Sequence, residues 1–152
     1  MLATLKQRGF TSIELLVALA ILIALTTLAV PAFTGLLARN QTVATSEALI
    51  GLADKARTSA QAQSRPWLLT VKATCAGINP NTACDCAISA SCDTASTWNN
   101  TQTAPATLTF GARTGAIGST VSVLVSGTAG TARQVSVAPS GLASSCEGSS
   151  PC

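Results

Sequence analysis

The 152-residue sequence contains no histidine and no tyrosine, and its aromatic side chains are two Trp and three Phe. Without histidine, no side chain ordinarily titrates near neutral pH, so the proton shuttle of many hydrolases has no ready carrier. Imidazole-supported zinc sites are excluded as well. Charge is also scarce: only 10% of residues are Asp, Glu, Lys or Arg, with no basic run, which argues against a general nucleic-acid binder. The chain has no Gly-rich phosphate loop, and no two carboxylates have a plausible catalytic partner. Glu47 and Asp54 fit a solvated helix face. The expectation is a non-enzymatic protein with no catalytic residues, no metal and no cofactor.

What the chain does have is apolar residues, 47% of the total with a mean hydropathy of +0.44. Much of the excess lies in one stretch, Ile13 to Val30, whose single charge is Glu14. The remainder is rich in Ala, Ser, Thr and Gly, which suits one modest domain with a thin core, where covalent staples would help. Six cysteines can supply them: Cys75, Cys84, Cys86, Cys92, Cys146 and Cys152, all downstream of the apolar stretch. An even count in that position reads as disulfides formed in an oxidising compartment. A zinc cluster would call for paired Cys-x2-Cys knuckles, and the chain offers only Cys84-Asp85-Cys86. Fifteen pairings are open. Cys84 and Cys86 are too close for an easy mutual bond, and Cys146 or Cys152 is expected to reach back to the other four.

Lys6-Gln7-Arg8-Gly9-Phe10-Thr11-Ser12-Ile13-Glu14 precedes eleven consecutive apolar residues, Leu15 to Leu25. A removable secretory signal, a plain membrane anchor and a cleaved leader with a retained stem all have this general form. A secretory signal has a short apolar core followed by a small-residue cut site, for which Ala29-Val30-Pro31-Ala32 is a weak candidate. The run here approaches spanning length instead. It also opens on a carboxylate that costs about 2–3 kcal/mol at mid-bilayer, which a plain anchor has no use for.

Arg8-Gly9-Phe10-Thr11-x-Ile13-Glu14-Leu15-Leu16 resembles the class III signal of type IV pilins and type II secretion pseudopilins. The resemblance implies a leader, residues 1–9, cut between Gly9 and Phe10 by a membrane prepilin peptidase that also N-methylates Phe10. Residues 10–30 would form a transmembrane and assembly helix. Glu14 would pair with the terminal amine of a neighbouring subunit, neutralising two charges that lipid penalises. Ser12 departs from the family's usual Leu. Pro31 falls where these stems commonly carry a proline, an expected helix kink. Loss of Lys6 and Arg8 with the leader would leave seven basic and six acidic residues, a net charge of +1. The basic flank implies a cytoplasmic N-terminus, and the cysteine-bearing remainder then lies outside the bacterial inner membrane, in agreement with the redox argument.

Residues 31–152 read as an extracytoplasmic head. Leu49, Leu52, Ala53, Ala56 and Ala60 form one stripe of an amphipathic helix reaching to about residue 62, with Glu47, Asp54, Thr58 and Gln61 on another side. Pro66 ends it. Four short strands are expected, around Trp67/Leu69/Val71, Leu108/Phe110, Val121/Val123/Val125 and Val135/Val137, with a cysteine-rich loop over 74–105. The predicted fold is α+β and pilin-like, with the long helix packed on a small antiparallel sheet and disulfides stapling the head.

Ala53-Asp54-Lys55-Ala56-Arg57, Leu108-Thr109-Phe110-Gly111 and Arg133-Gln134-Val135-Ser136-Val137 before Ser140-Gly141 are similar to segments of the GspH/FimT group of minor pilins and pseudopilins. That group's role is to prime or cap a type IV pilus or a type II secretion pseudopilus. The partners implied are other pilins through the N-terminal helix, the prepilin peptidase, the inner-membrane assembly platform and membrane lipid. Some members capture DNA through a Gly-Arg-x-Arg tail, where this chain has Gly141-Leu142-Ala143-Ser144. A DNA- or surface-binding tip subunit therefore stays as the alternative, its DNA contacts resting on Lys72, Arg113 and Arg133. A signal-cleaved exported binding protein is the third.

Overall fold

The computed structural model describes residues 11–88, 90–99, 101–150 and 152, without the side chains at 28, 29, 31, 32 and 129. The leader 1–9, the Gly9–Phe10 bond and the Pro31 side chain lie outside the described residues. One helix, α1 (Ser12–Gln63), precedes eight strands: β1 (Trp67–Val71), β2 (Cys75–Pro80), β3 (Thr94–Thr97), β4 (Thr101–Thr103), β5 (Ala106–Phe110), β6 (Val121–Gly127), β7 (Ala132–Val137) and β8 (Ala143–Glu147). The chain divides into two compact units at Leu36/Leu37.

Thr11 starts α1: the Glu14 N–H donates to its hydroxyl and the Leu15 N–H to its carbonyl. Thr-x-x-Glu is the capping-box spacing, which meets otherwise unpaired donors of the first turn. At the other end Ser64 takes a positive φ of 51°, a left-handed cap that glycine fills more cheaply, and Pro66 follows two residues on. No helical continuation is possible there.

The strands form two antiparallel four-stranded sheets, ordered β3-β2-β1-β5 and β4-β6-β7-β8, where the sequence suggested one small sheet of about four strands. The four expected strands are present as β1, β5, β6 and β7. The other four carry little apolar alternation. β2 is Cys-Ala-Gly-Ile-Asn-Pro, buried through its first four positions because Ala76 and Ile78 enter the core and the Cys84–Cys92 bridge covers Gly77. Segments β3 and β4 are mostly Ser and Thr, held by pairing to β2 and β6, and β8 is a polar hairpin partner of β7. The segment 74–105 accordingly carries three strands and is not a single long loop.

The core is where the helix stripe meets the sheets. Leu49, Leu52, Ala53, Ala56 and Ala60 pack with Trp67, Leu69, Val71, Ile78, Phe110, Val125, Val135 and Val137. Burying a side chain such as Phe110 or Leu49 contributes about 1.5–3 kcal/mol. Closer to the stem the helix face changes chemistry. Thr42, Thr45 and Ser46 are buried, and the hydroxyls of Thr42 and Thr45 pair with those of Thr131 and Thr101 at 2.9 and 2.8 Å. Hydroxyl pairs thus fasten α1 to the second sheet where apolar packing stops.

Gly127 permits that fastening. A Cβ there would lie 2.2 Å from the Thr42 hydroxyl and 2.5 Å from that of Thr131. Gly127→Ala is expected to cost about 1–3 kcal/mol through overpacking. Unfolding followed by the fluorescence of buried Trp67 measures it; an unchanged midpoint would mean the hydroxyl pair is not fixed.

Candidate functional site

The first feature is the surface of the stem. Ile13, Leu15, Leu16, Val17, Leu19, Ile21, Leu22, Ile23, Leu25, Val30 and Phe33 are all exposed, Leu16 and Phe33 at 66% each. A helix apolar on every side has no face for water and requires a nonaqueous or protein environment. Among the described residues no helix is long and apolar enough to cross a membrane. Glu14 stands at the start of this surface, in the first turn, where the helix dipole favours a negative charge.

The second feature is the cysteine system. Cys75 pairs with Cys86, Cys84 with Cys92, and Cys146 with Cys152. The expected reach of Cys146 or Cys152 to the other four does not occur. β8 pairs along the far edge of the second sheet, so Cys146 lies in the opposite sheet from β2, and the tail closes on itself within six residues. The Cys84–Cys92 bridge lies on the backbone of β2: a Cβ on Gly77 would fall 2.4 Å from the Cys92 sulfur. Among the described residues no group of three or more His, Cys, Asp or Glu could hold a metal.

The structure separates the three basic residues proposed for DNA. Lys72 follows β1 and forms an ion pair with Asp85 at 2.6 Å. That hydrogen bond, aided by one from the Ala87 N–H, holds the Asp85 carboxyl below its usual pKa. Arg113 lies beyond β5 at a positive φ, and Trp67 pairs with Phe110 while Val71 pairs with Ala106. Lys72 and Arg113 are therefore at opposite ends of the same strand pair. Arg133 belongs to the other sheet, facing Ser145 at 3.1 Å and Glu147 at 3.7 Å.

Arg133 leads to a group that the sequence did not suggest. Arg39 on α1 donates to the Glu147 carboxylate, which stands between Arg39 and Arg133. Its hydrogen bond to Arg39 and the charge of that guanidinium lower the Glu147 pKa. A cleft of about 450 Å³ opens beside them, lined also by Thr131, Gly130 and Gly148. Arg39 and Glu147 are 108 residues apart, so no local spacing could have announced the pair. A second cleft, about 380 Å³, is lined by Thr74, Thr101, Gln102 and Ser126 and has no charge.

No protein-family model matches the chain, and no curated protein matches it. Among solved structures, the type IV minor pilin FimU of Pseudomonas aeruginosa is similar in two crystal forms, each with TM-score 0.54 and 15% identity. The match covers 68% of this chain and 90% of that chain in one form, and 70% and 88% in the other. At that identity the likeness concerns fold, and the fold is that of a type IV pilin-like minor pilin.

Proposed function

We propose that this chain is a minor pilin or pseudopilin, a non-enzymatic structural subunit that primes or caps a type IV pilus or a type II secretion pseudopilus. The observation that carries this is the exposed apolar surface of α1 with Glu14 in its first turn, on a minor-pilin fold. Ile13 to Val30 would cross the inner membrane once, with the N-terminus cytoplasmic and the disulfide-bearing head on the other side. The stem would then transfer from lipid into a fibre of similar stems, both of which bury its apolar surface. Pro31 would supply a bend within it. A tip subunit that touches DNA or a surface has the same stem, but two of the three cations it would use are engaged in ion pairs.

Processing tests the proposal. The mature protein is expected to begin with N-methyl-Phe10, lacking the nine-residue leader Met1 to Gly9. Intact-mass measurement on protein from envelopes reads this directly. A mature start near Ala32 would restore the ordinary secretory signal and remove the stem altogether.

A further inference from the structure

We propose that the cleft between Arg39 and Arg133 binds the phosphodiester group of an anionic membrane lipid, holding this part of the head at the headgroup layer. The proposal rests on the stem being a membrane span.

Three observations combine. The first is the cleft itself: two guanidiniums border about 450 Å³ of open volume, to whose lining Gly130 and Gly148 add no side chain. Guanidinium presents planar paired donors that match phosphate oxygens. The second is an unspent donor. Arg133 is only 18% exposed along its side chain, and its Nε is buried without an acceptor. The Glu147 carboxylate, 62% exposed, occupies the space between the two arginines as a tethered oxyanion. It satisfies part of their hydrogen-bonding capacity and leaves the three groups with a net charge of +1.

The third observation decides between sources of phosphate. Arg39 is the first charged residue after Glu14, and the interval Leu15 to Ala38 is 24 residues without a charge. At the helical rise this is about 36 Å, against a hydrocarbon thickness of about 30 Å. A span that opens at Glu14 ends where charge returns to the sequence, and Arg39 is that first charge, the residue type that flanks a span at the headgroups. A cationic cleft built on Arg39 is thereby presented to lipid phosphates at high local concentration. An anionic lipid is favoured over phosphatidylcholine, whose own cation competes with the arginines.

Glu147 gives the proposal a sign that distinguishes it from a purely structural role. A carboxylate that imitates the ligand must be displaced by it, so neutralising that carboxylate should tighten binding. The full-length chain is purified in detergent with equal phosphatidylglycerol and phosphatidylcholine, and retained lipid is counted by native mass spectrometry. The wild-type chain is expected to retain phosphatidylglycerol selectively. Arg39→Gln with Arg133→Gln should reduce that retention about tenfold, as loss of charge-assisted hydrogen bonds implies. Glu147→Gln should raise it several-fold.

Equal retention by the double variant would overturn the site and leave the lipid to the apolar stem. A loss in Glu147→Gln as large as in the arginine variant would reduce the triad to a structural staple and also overturn it. Inorganic phosphate that displaces the lipid at matched concentration would assign the cleft to free phosphate instead. Carbonate extraction of wild-type membranes separates the two levels of failure. A chain that washes off defeats the membrane stem itself, whereas one that stays without headgroup selectivity defeats only the lipid site.

Discussion

Glu14→Leu is expected to be cut and to stay in the membrane, yet to fall out of the fibre, with incorporation reduced by about tenfold or more. Near the headgroups, water and snorkelling soften the cost of the carboxylate, so entry into the membrane does not depend on removing it. Transfer into a fibre removes that relief, and the charge then needs a cation. In the proposed fibre, the amine of a processed Phe10 on a neighbouring subunit would supply it. Leucine abolishes the need and the recognition together. Thr11 complicates the substitution slightly, because Glu14 also holds the third position of a capping box. Glu14→Gln keeps the box and loses the charge, so it separates the two roles. Crosslinking between subunits in membranes is the measurement. Full incorporation of both variants would mean that apolar packing alone docks the subunit.

The second large effect concerns sulfur. All six thiols should be blocked in protein taken from the envelope, and peptide mapping should return the pairs Cys75–Cys86, Cys84–Cys92 and Cys146–Cys152. Chain entropy alone gives each bridge about 2–3 kcal/mol, because the closed loops are of similar size. Burial separates them. Cys75, Cys84 and Cys86 are buried, whereas the Cys146–Cys152 bridge closes an exposed tail. Replacing Cys75 and Cys86 by alanine should therefore destabilise the head by about 2–5 kcal/mol, and removing the Cys84–Cys92 bridge as well should prevent folding. Replacing Cys146 and Cys152 should leave the unfolding midpoint of the head much less changed. Equal sensitivity at all three positions would show that the tail is an integral part of the fold.

The parts of the fold visible in the sequence were those governed by local periodicity. Leu49, Leu52, Ala53, Ala56 and Ala60 fall on one helical face, and Val121, Val123 and Val125 on one strand face, because each pattern answers to a single buried surface. Where burial comes from both sides, or from hydroxyl pairs, the pattern disappears. The strand Cys75–Pro80 sends Ala76 and Ile78 into the core and has a disulfide lying on Gly77, so nothing in it alternates. The stripe Thr42, Thr45 and Ser46 is polar in composition and buried in fact. Its partners Thr101 and Thr131 are 56 and 89 residues away.

The candidate site divides the same way. Glu14 stands out in sequence as the lone charge in an apolar run, and the meaning of that does not depend on tertiary structure. Arg39, Arg133 and Glu147 look like ordinary surface charges until β7 and β8 pair beside α1 and bring them together. The cysteine pairing was similarly out of reach, since it follows from which sheet each strand joins.

The order of the two bridges near β2 has a consequence for proteolysis. Cys75–Cys86 and Cys84–Cys92 overlap in sequence, so each begins before the other ends. Every peptide bond between Cys75 and Cys92 is therefore bypassed by at least one sulfur link. A protease that cuts once anywhere in this stretch, including at the exposed Ile88, releases nothing: both ends stay tethered and the sheet keeps its strands. Between Cys84 and Cys86 the bypass is double. Wear in this segment would build up as silent nicks, visible as fragments only after reduction.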